Sequence, residues 1–331
     1  MAKVGRRREL GRGERVLPGV FRLRLPLSWP GVPHCNAWAV AREDGIVLFD
    51  TGMHQPGSLA DLERALAMCG QRIEDVRVVA CTHAHSDHCG QAGEIKRLTG
   101  CELWMHPRHE LMRRMTEDPD AVLAQRVEIA RQSGVPEEPL RRATEQRRER
   151  GSGFAGPIEP DRELLDGVRI DTALGEWIVY ETPGHSPSHV CMFQPQRRLL
   201  ISGDHLLGRI SLFFDYGYSP DPVGEFLSSL EVVGGLGARL CLAGHGRTFA
   251  DVRAHIDANR ALVAERLQKI VAALAEGRPL TGFQVVPRVH EDVAFSAGGP
   301  WLLHETLAML THLQRTGRAR RVPGEPERWA A

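Results

Sequence analysis

The stretch Thr82-His83-Ala84-His85-Ser86-Asp87-His88 decides how this chain is read. Three imidazoles and a carboxylate fall within six positions, directly after Val76–Cys81. Apart from Arg77 that preceding run is apolar, as a buried strand would be. A strand ending in a tight loop can turn several side chains toward one point. Imidazole and carboxylate together suit zinc, iron or manganese. A single His is more often a hydrogen-bonded core residue, but four such groups this close are costly to bury without a counter-charge. The bland alternative is a solvated, His-rich loop.

Working outward, three further segments repeat one pattern at the ends of apolar runs: Pro183-Gly184-His185, Ser202-Gly203-Asp204 and Ala243-Gly244-His245. Glycine lets the backbone turn sharply and approach a site closely. Any one of them would only mark a turn. Recurring at successive strand ends after the histidine cluster, they form a converging set.

The rest of the chain sets the frame. It has 331 residues, with 42 Lys+Arg against 42 Asp+Glu, 42% hydrophobic and 25% charged residues. This is the make-up of a globular protein and excludes a wholly disordered chain, a collagen-like fibre and a disulfide miniprotein. The zero formal charge predicts no strong general attraction to nucleic acid. The seven cysteines are scattered, without a CxxC pair, which fits a reducing, cytoplasmic location better than a disulfide framework. No apolar run reaches the roughly 18 residues of a membrane helix, and no secretory signal is read at the start.

Short strands are predicted at Val20–Leu27, Asn36–Ala41, Ile46–Asp50, Val76–Cys81 and Glu102–His106, and helices at Leu59–Met68 and Gly90–Leu98. Residues 107–150 are dense in charge, with apolar residues at helical intervals, and read as a helical insertion closed by a flexible Gly151–Gly156 link. Strands resume at Leu164–Ile170, Trp177–Glu181, Val190–Phe193, Leu199–Ser202 and Leu240–Ala243, with a helix at Pro222–Val233. Two batches of strands interleaved with helices predict two helix-covered sheets. After Gly246 the spacing turns helical: one long helix from Val252 to Leu274, others at Thr281–Val289 and Trp301–Leu313, and a hairpin at Arg315–Val322 turning at Gly317.

His83-Ala84-His85-Ser86-Asp87-His88 resembles the HxHxDH signature of the metallo-β-lactamase superfamily, and His185, Asp204 and His245 stand in the order of its later motifs. Phe49-Asp50-Thr51-Gly52 resembles the first motif, so five motifs cover about residues 18–250. The resemblance is nearest to the glyoxalase II-like and "lactamase β-like 2" subgroup. It implies a four-layer αβ/βα sandwich over residues 18–250, preceded by a basic tail (1–17) and followed by a helical, winged-helix-like domain (251–331).

The resemblance further implies two divalent metal ions, zinc first, with iron or manganese as alternatives. His83, His85 and His185 would hold one, Asp87, His88 and His245 the other, and Asp204 would bridge them. Asp50 would orient a ligand imidazole, and a metal-bridging hydroxide would be the nucleophile. His189 and His205 match non-ligand positions. His34 and His54 fall in loops at the site mouth, His106 and His109 flank the insertion, and Cys89 reads as a buried small residue. Tyr216 and Tyr218 are candidate pocket residues without an assigned role.

The expected function is hydrolysis of a small carbonyl substrate, a thioester or lactone. The alternative is an endoribonuclease for single-stranded RNA, with Arg315, Arg318, Arg320 and Arg321 reaching phosphates. The expected partner is a small molecule, with a homodimer left open and no membrane.

Overall fold

A computed structural model describes residues 10–29, 31–290 and 295–331. The first sheet follows chain order: β1 (Arg12–Leu17), β2 (Val20–Trp29), β3 (Val32–Arg42), β4 (Gly45–Phe49), β5 (Val76–Ala80), β6 (Glu102–Met105) and β7 (Arg162–Glu163). Its first four strands pair antiparallel and its last four parallel. The second sheet contains β8 (Arg169–Thr172), β9 (Gly175–Glu181), β10 (Val190–Gln194), β11 (Leu199–Gly203) and β12 (Leu240–Ala243), in the order β12-β11-β10-β9-β8. Only the β11–β12 pair is parallel there.

Alternation along the strands explains the layering. In β4, Val47 and Phe49 join the core between the sheets, while Ile46 and Leu48 face outward. In β10, Val190 and Met192 face inward, while Cys191 and Phe193 face the other way. Successive side chains point to opposite faces, so a continuous apolar run is what a strand covered on both sides requires. Trp38, Trp104 and Trp177 fill the space between the sheets. Each large apolar side chain buried there contributes about 1.5–3 kcal/mol before entropy is counted.

Helices cover both outer faces. Leu62 and Leu66 of α1 (Ser58–Met68) pack on the first sheet with Ile95, which follows the single turn α2 (Ser86–Cys89) and lies in α3 (Ala92–Thr99). The insertion forms α4 (Glu110–Glu117), α5 (Pro119–Gln132) and α6 (Glu137–Arg150). Of these, α4 buries Leu111, Met112 and Met115, whereas α5 buries only Val122. Several of the insertion's arginines pair with acids on their own helix, Arg113 with Glu110 and Glu117, and Arg141 with Glu138 and Glu145. Such exposed pairs stabilise a helix slightly.

On the other side lie α7 (Pro222–Gly235), α8 (Val252–Leu274), α9 (Gly282–Val289), α10 (Phe295–Arg315) and the hairpin β13 (Arg320–Val322) and β14 (Arg328–Ala330). Asp221 and Asp251 cap α7 and α8 by accepting from Gly224 and Ala254 backbone N–H at 2.9 and 3.0 Å. Thr281 and Gln284 cap α9 reciprocally. Buried residues of α8–α10 belong to one cluster with Phe226 and Leu230 of α7 and Leu200 of β11. The C-terminal helices therefore pack without a break onto the second sheet's outer layer.

Several local expectations change. Residues 12–17, read as tail, form β1 on the open side of β2. Leu164–Ile170 is not one strand: Arg162–Glu163 joins the first sheet and Arg169–Thr172 the second. Gly317 (φ 71°) ends α10, and the hairpin follows it, pairing Arg321 with Trp329. The Gly151–Gly156 link is docked rather than loose: Gly153 carbonyl accepts from His54 N–H at 3.0 Å, and Phe154 is buried. The helix expected at Gly90–Leu98 runs Ala92–Thr99 and is preceded by a separate turn at Ser86–Cys89.

Candidate metal centre

The topology gathers the motifs. Strands β4 and β5 run parallel, and β9, β11 and β12 share one direction because β10 is antiparallel to its neighbours. Asp50, Thr82–His88, His185, Asp204 and His245 all follow C-terminal strand ends, so they meet at one edge of the sandwich. The sheets are laced together there. Asn36 N–H donates to Gly244 carbonyl at 2.7 Å, Asn36 Nδ2 to Ala243 carbonyl at 2.8 Å, and Val190 N–H to Thr82 carbonyl at 2.8 Å.

All seven expected ligand residues come together. Potential ligand atoms of His83, His85 and His185 lie within 4.8 Å of one another, as do those of Asp87, His88 and His245, and those of His83, His88 and Asp204. His85 Nδ1 is 3.0 Å from His83 Nε2 and 3.1 Å from His185 Nε2. His245 Nε2 is 3.2 Å from both Asp87 Oδ2 and Asp204 Oδ2. Asp204 Oδ2 also lies 3.8 Å from His185 Nε2, so this carboxylate faces both groups. His83 and His85 sit two apart on the chain entering α2, and Asp87 and His88 follow on its first turn.

Surrounding groups fix three of the rings. Asp50 Oδ2 accepts from His88 Nδ1 at 2.8 Å, while its Oδ1 accepts from Thr82 N–H at 2.7 Å. Asp215 Oδ2 accepts from His85 Nε2 at 2.8 Å. His34 carbonyl accepts from His245 Nδ1 at 3.0 Å. Each ring then presents the lone pair of its other nitrogen to the centre. Asp50 holds a left-handed backbone (φ 60°), which Asp tolerates better than most residues.

The residues fit divalent cations. His88 Nε2 and Asp204 Oδ1 are buried, make no hydrogen bond, and lie 3.4 Å apart. Buried polar atoms of this kind are normally satisfied. A Cβ on Gly244 would stand 2.3 Å from Asp204 Oδ1 and 2.7 Å from His88 Cε1, so only glycine leaves this wall open.

The charges divide the site. Burial, reinforced by neighbouring imidazoles, holds His83 well below the usual histidine range, and burial holds His185 at about 4. Burial is the largest single influence on His88 and His245 and opposes their charge, but Asp204 and Asp87, joined by Asp50 at His88, together outweigh it. His88 is held well above its usual range and His245 is raised to about 10. Burial works against the charged form of Asp204, yet His245 and His88 keep it well below the usual carboxylate range.

The profile of the Metallo-beta-lactamase superfamily matches residues 30–245. The chain belongs to the metallo-beta-lactamase superfamily. It is similar to the metallo-beta-lactamase family protein TTHA1429 from Thermus thermophilus, at a TM-score of 0.82 and 27% identity, covering 96% of this chain and 99% of that one. The probable metallo-hydrolase YqjP of Bacillus subtilis is 25% identical over 272 residues, 77% of this chain and 82% of its own length. An atrochrysone carboxyl ACP thioesterase of Aspergillus chevalieri is 26% identical over 159 residues, 44% of this chain and 49% of its own. Membership of this superfamily and its hydrolase-named relatives make the chain a metallo-hydrolase.

The remaining candidates lie around this superfamily site. His189 accepts from Asp204 N–H at 3.1 Å and bonds Thr182 Oγ1 at 2.9 Å, positioning the Asp204 backbone. His205 is buried against Phe226. His34 lies in β3, not in a loop, and serves through its carbonyl. His54 stands apart, 3.5 Å from Glu94. His106 bonds Glu181 at 2.8 Å, and His109 bonds the His106 carbonyl at 2.8 Å. Cys89 is buried and its thiol is pushed well up by burial, so it is no ready nucleophile. Tyr218 lines a cavity of about 160 Å³ with Ala84, Arg108 and Ser188. Tyr216 lies against the ring of His304 in α10.

Sequence reading missed Asp215 as a site residue. It lies 130 positions from His85, in a loop without a motif, and its one signal is an acid set between Phe214 and Tyr216. Among the described residues, no helix is long and apolar enough to cross a membrane.

Proposed function

We propose that the chain is a binuclear metal-dependent hydrolase of small carbonyl substrates, a thioester before a lactone. One observation carries the reading: seven nitrogen- and oxygen-bearing side chains converge, with His88 Nε2 and Asp204 Oδ1 buried 3.4 Å apart and making no hydrogen bond. His83, His85 and His185 would hold one cation and Asp87, His88 and His245 the other, with the Asp204 carboxylate available to both. Zinc suits this donor set first, iron or manganese next. Such cations supply Lewis acidity toward a carbonyl oxygen and bring the pKa of water down to roughly 7.

The chain's own groups prepare that chemistry. Asp50 and Asp215 keep His88 and His85 in the tautomers that point a lone pair inward. The His34 carbonyl does the same for His245. In the overall reaction water adds its oxygen to the acyl carbon, the C–S or ester C–O bond breaks, and the leaving group takes up a proton. The thioesterase-named relative supports a thioester, although only part of each chain is matched.

Cleavage of single-stranded RNA finds less support. Arg321 lies over the Trp329 ring and is 3.3 Å from Glu327, and Arg315 lies 3.9 Å from Asp221, so two of the four arginines expected to meet phosphates already have acidic neighbours. The test is a panel of thioesters, lactones, a phosphodiester and single-stranded RNA given to zinc-loaded protein. Thioester turnover that stops on demetallation supports the reading. Full activity in demetallated protein, or RNA cleavage alone, overturns it.

A further inference from the structure

Beside the metal centre, arginines gather on the inner face of the first sheet where the second sheet no longer covers it. Arg22 and Arg24 are two apart on β2, hence on one face and roughly 7 Å apart along the strand. Arg22 Nη1 donates to the carbonyl of Gly246, the residue after His245, at 3.1 Å. Arg24 pairs in register with Asn36, whose Nδ2 donates to the same Gly246 carbonyl at 3.0 Å. Arg247 continues this loop. Arg12 of β1 stands opposite Arg24.

The balance of charge is unusual. Glu14 pairs with Arg22. Among the described residues, neither Arg24 nor Arg247 makes an ion pair. The Nε atoms of both Arg22 and Arg24 are buried without a hydrogen bond. Burial lowers the affinity of Arg22 for its proton; Glu14 opposes this, and the charges of Arg24 and Arg247 add to the fall. Like charges held together at a partly buried surface repel one another, and an anion between them relieves that cost and satisfies the idle donors.

We propose that Arg24, Arg22 and Arg247 form a phosphate subsite, so that the preferred substrate is an acyl thioester whose thiol carries a phosphate. This rests on the thioester reading above. The subsite adjoins His245, so the acyl carbon can lie at the metals while the thiol arm extends along β2. Two sources share this chemistry: a free nucleotide coenzyme, or a phosphopantetheine arm on a carrier protein.

The test uses the zinc-loaded full chain. Desulfo-coenzyme A carries the phosphates without a metal-seeking thiol, and its binding is followed by calorimetry. Acetyl thioesters of pantetheine, 4′-phosphopantetheine and coenzyme A are compared as substrates. We expect kcat/KM to rise at least about tenfold once the thiol carries phosphate, and binding of desulfo-coenzyme A to weaken with salt. The Arg24→Gln, Arg247→Gln double variant should lose at least about tenfold in that affinity, and Arg247→Gln alone, in an exposed loop, a part of it. Arg253→Gln, exposed on α8, should not change it. A gain complete with 4′-phosphopantetheine points to the carrier-borne arm, and a further gain with coenzyme A to the free nucleotide; either supports the subsite. Equal turnover of all three thioesters with no binding of desulfo-coenzyme A overturns the subsite and leaves the hydrolase reading intact. Arginine-dependent binding with no thioester turnover sinks the thioester reading and leaves the subsite. An RNA oligonucleotide that displaces desulfo-coenzyme A at a lower concentration than 4′-phosphopantetheine does also overturns the proposal.

Discussion

His83 and His185 are held uncharged, whereas His88 and His245, a few ångströms away, are held charged. His83, His88 and His185 are buried and His245 is largely so, so burial does not separate them. The carboxylates do: Asp50, Asp87 and Asp204 crowd His88, while His83 and His185 look mainly at other imidazoles. One half of the cage is built from neutral nitrogen donors and the other from mixed charge. On the binuclear reading proposed above, two cations held there should differ in affinity and in coupling to pH, and Asp204, facing both halves, is where the comparison can be broken outright. Asp204→Ala should lower kcat/KM by about 10³-fold or more, roughly 4 kcal/mol of transition-state stabilisation, and reduce bound metal in both halves. Metal analysis beside kinetics checks this. Near-normal activity with two equivalents of metal would show that the halves do not depend on a shared carboxylate.

The supporting carboxylates sharpen the comparison, because each serves a different half. In Asp50→Asn the amide donor faces His88 Nδ1, favours the other tautomer and places a proton on Nε2, where a metal must bind. In Asp215→Asn the amide donor faces His85 Nε2 and the proton shifts to Nδ1, the nitrogen turned to the site. Asn is the right replacement at position 50 because it also tolerates the left-handed backbone. Each variant should lose about 10- to 100-fold in metal affinity or activity. The loss should fall on the second equivalent bound in one case and the first in the other, as read by stepwise metal titration. The same weakened equivalent in both variants would mean that the halves are not separately supported. Smaller still is Gly244→Ala, whose added methyl meets Asp204 Oδ1 and His88. It should cost about 1–3 kcal/mol and lower the melting temperature; an unchanged Tm would show that the wall yields.

What sequence could show follows the same division. The convergence of the seven residues was legible because each lies in a short local pattern at a strand end, where spacing alone marks it. Asp50 was legible in the same way. Asp215 was not, because its meaning lies in a hydrogen bond to a residue 130 positions away. The His34 carbonyl was not either, since any residue supplies a carbonyl. The strands with both faces buried were legible as unbroken apolar runs. The two-residue β7 was missed, lying just before the strand read at Leu164–Ile170, because nothing local tells a short segment which sheet it joins. Residues 12–17 were read from their arginines as a tail, yet Arg12 and Glu14 lie on a strand that pairs with β2. Charge at an edge strand is compatible with pairing on one side and blunts further pairing on the other.

The finest test of the two halves counts protons. A histidine must be deprotonated at the nitrogen that binds a metal, so metal binding releases whatever proton the ring carried there. At pH 7, His245, raised to about 10, and His88, raised with it, both carry one in the metal-free protein. Filling that half should release about two protons. In the other half His83 and His185 are already neutral, and only His85, raised by Asp215 against the effect of burial, has a proton to give. Filling it should release fewer, at most the one proton of His85. Calorimetric zinc titrations in buffers of different ionisation enthalpy separate these numbers. The sign with pH is fixed: above pH 10 His245 is already deprotonated, so release from its half should fall. Equal release from both equivalents at pH 7 would mean that the carboxylates do not set the charge of the rings beside them.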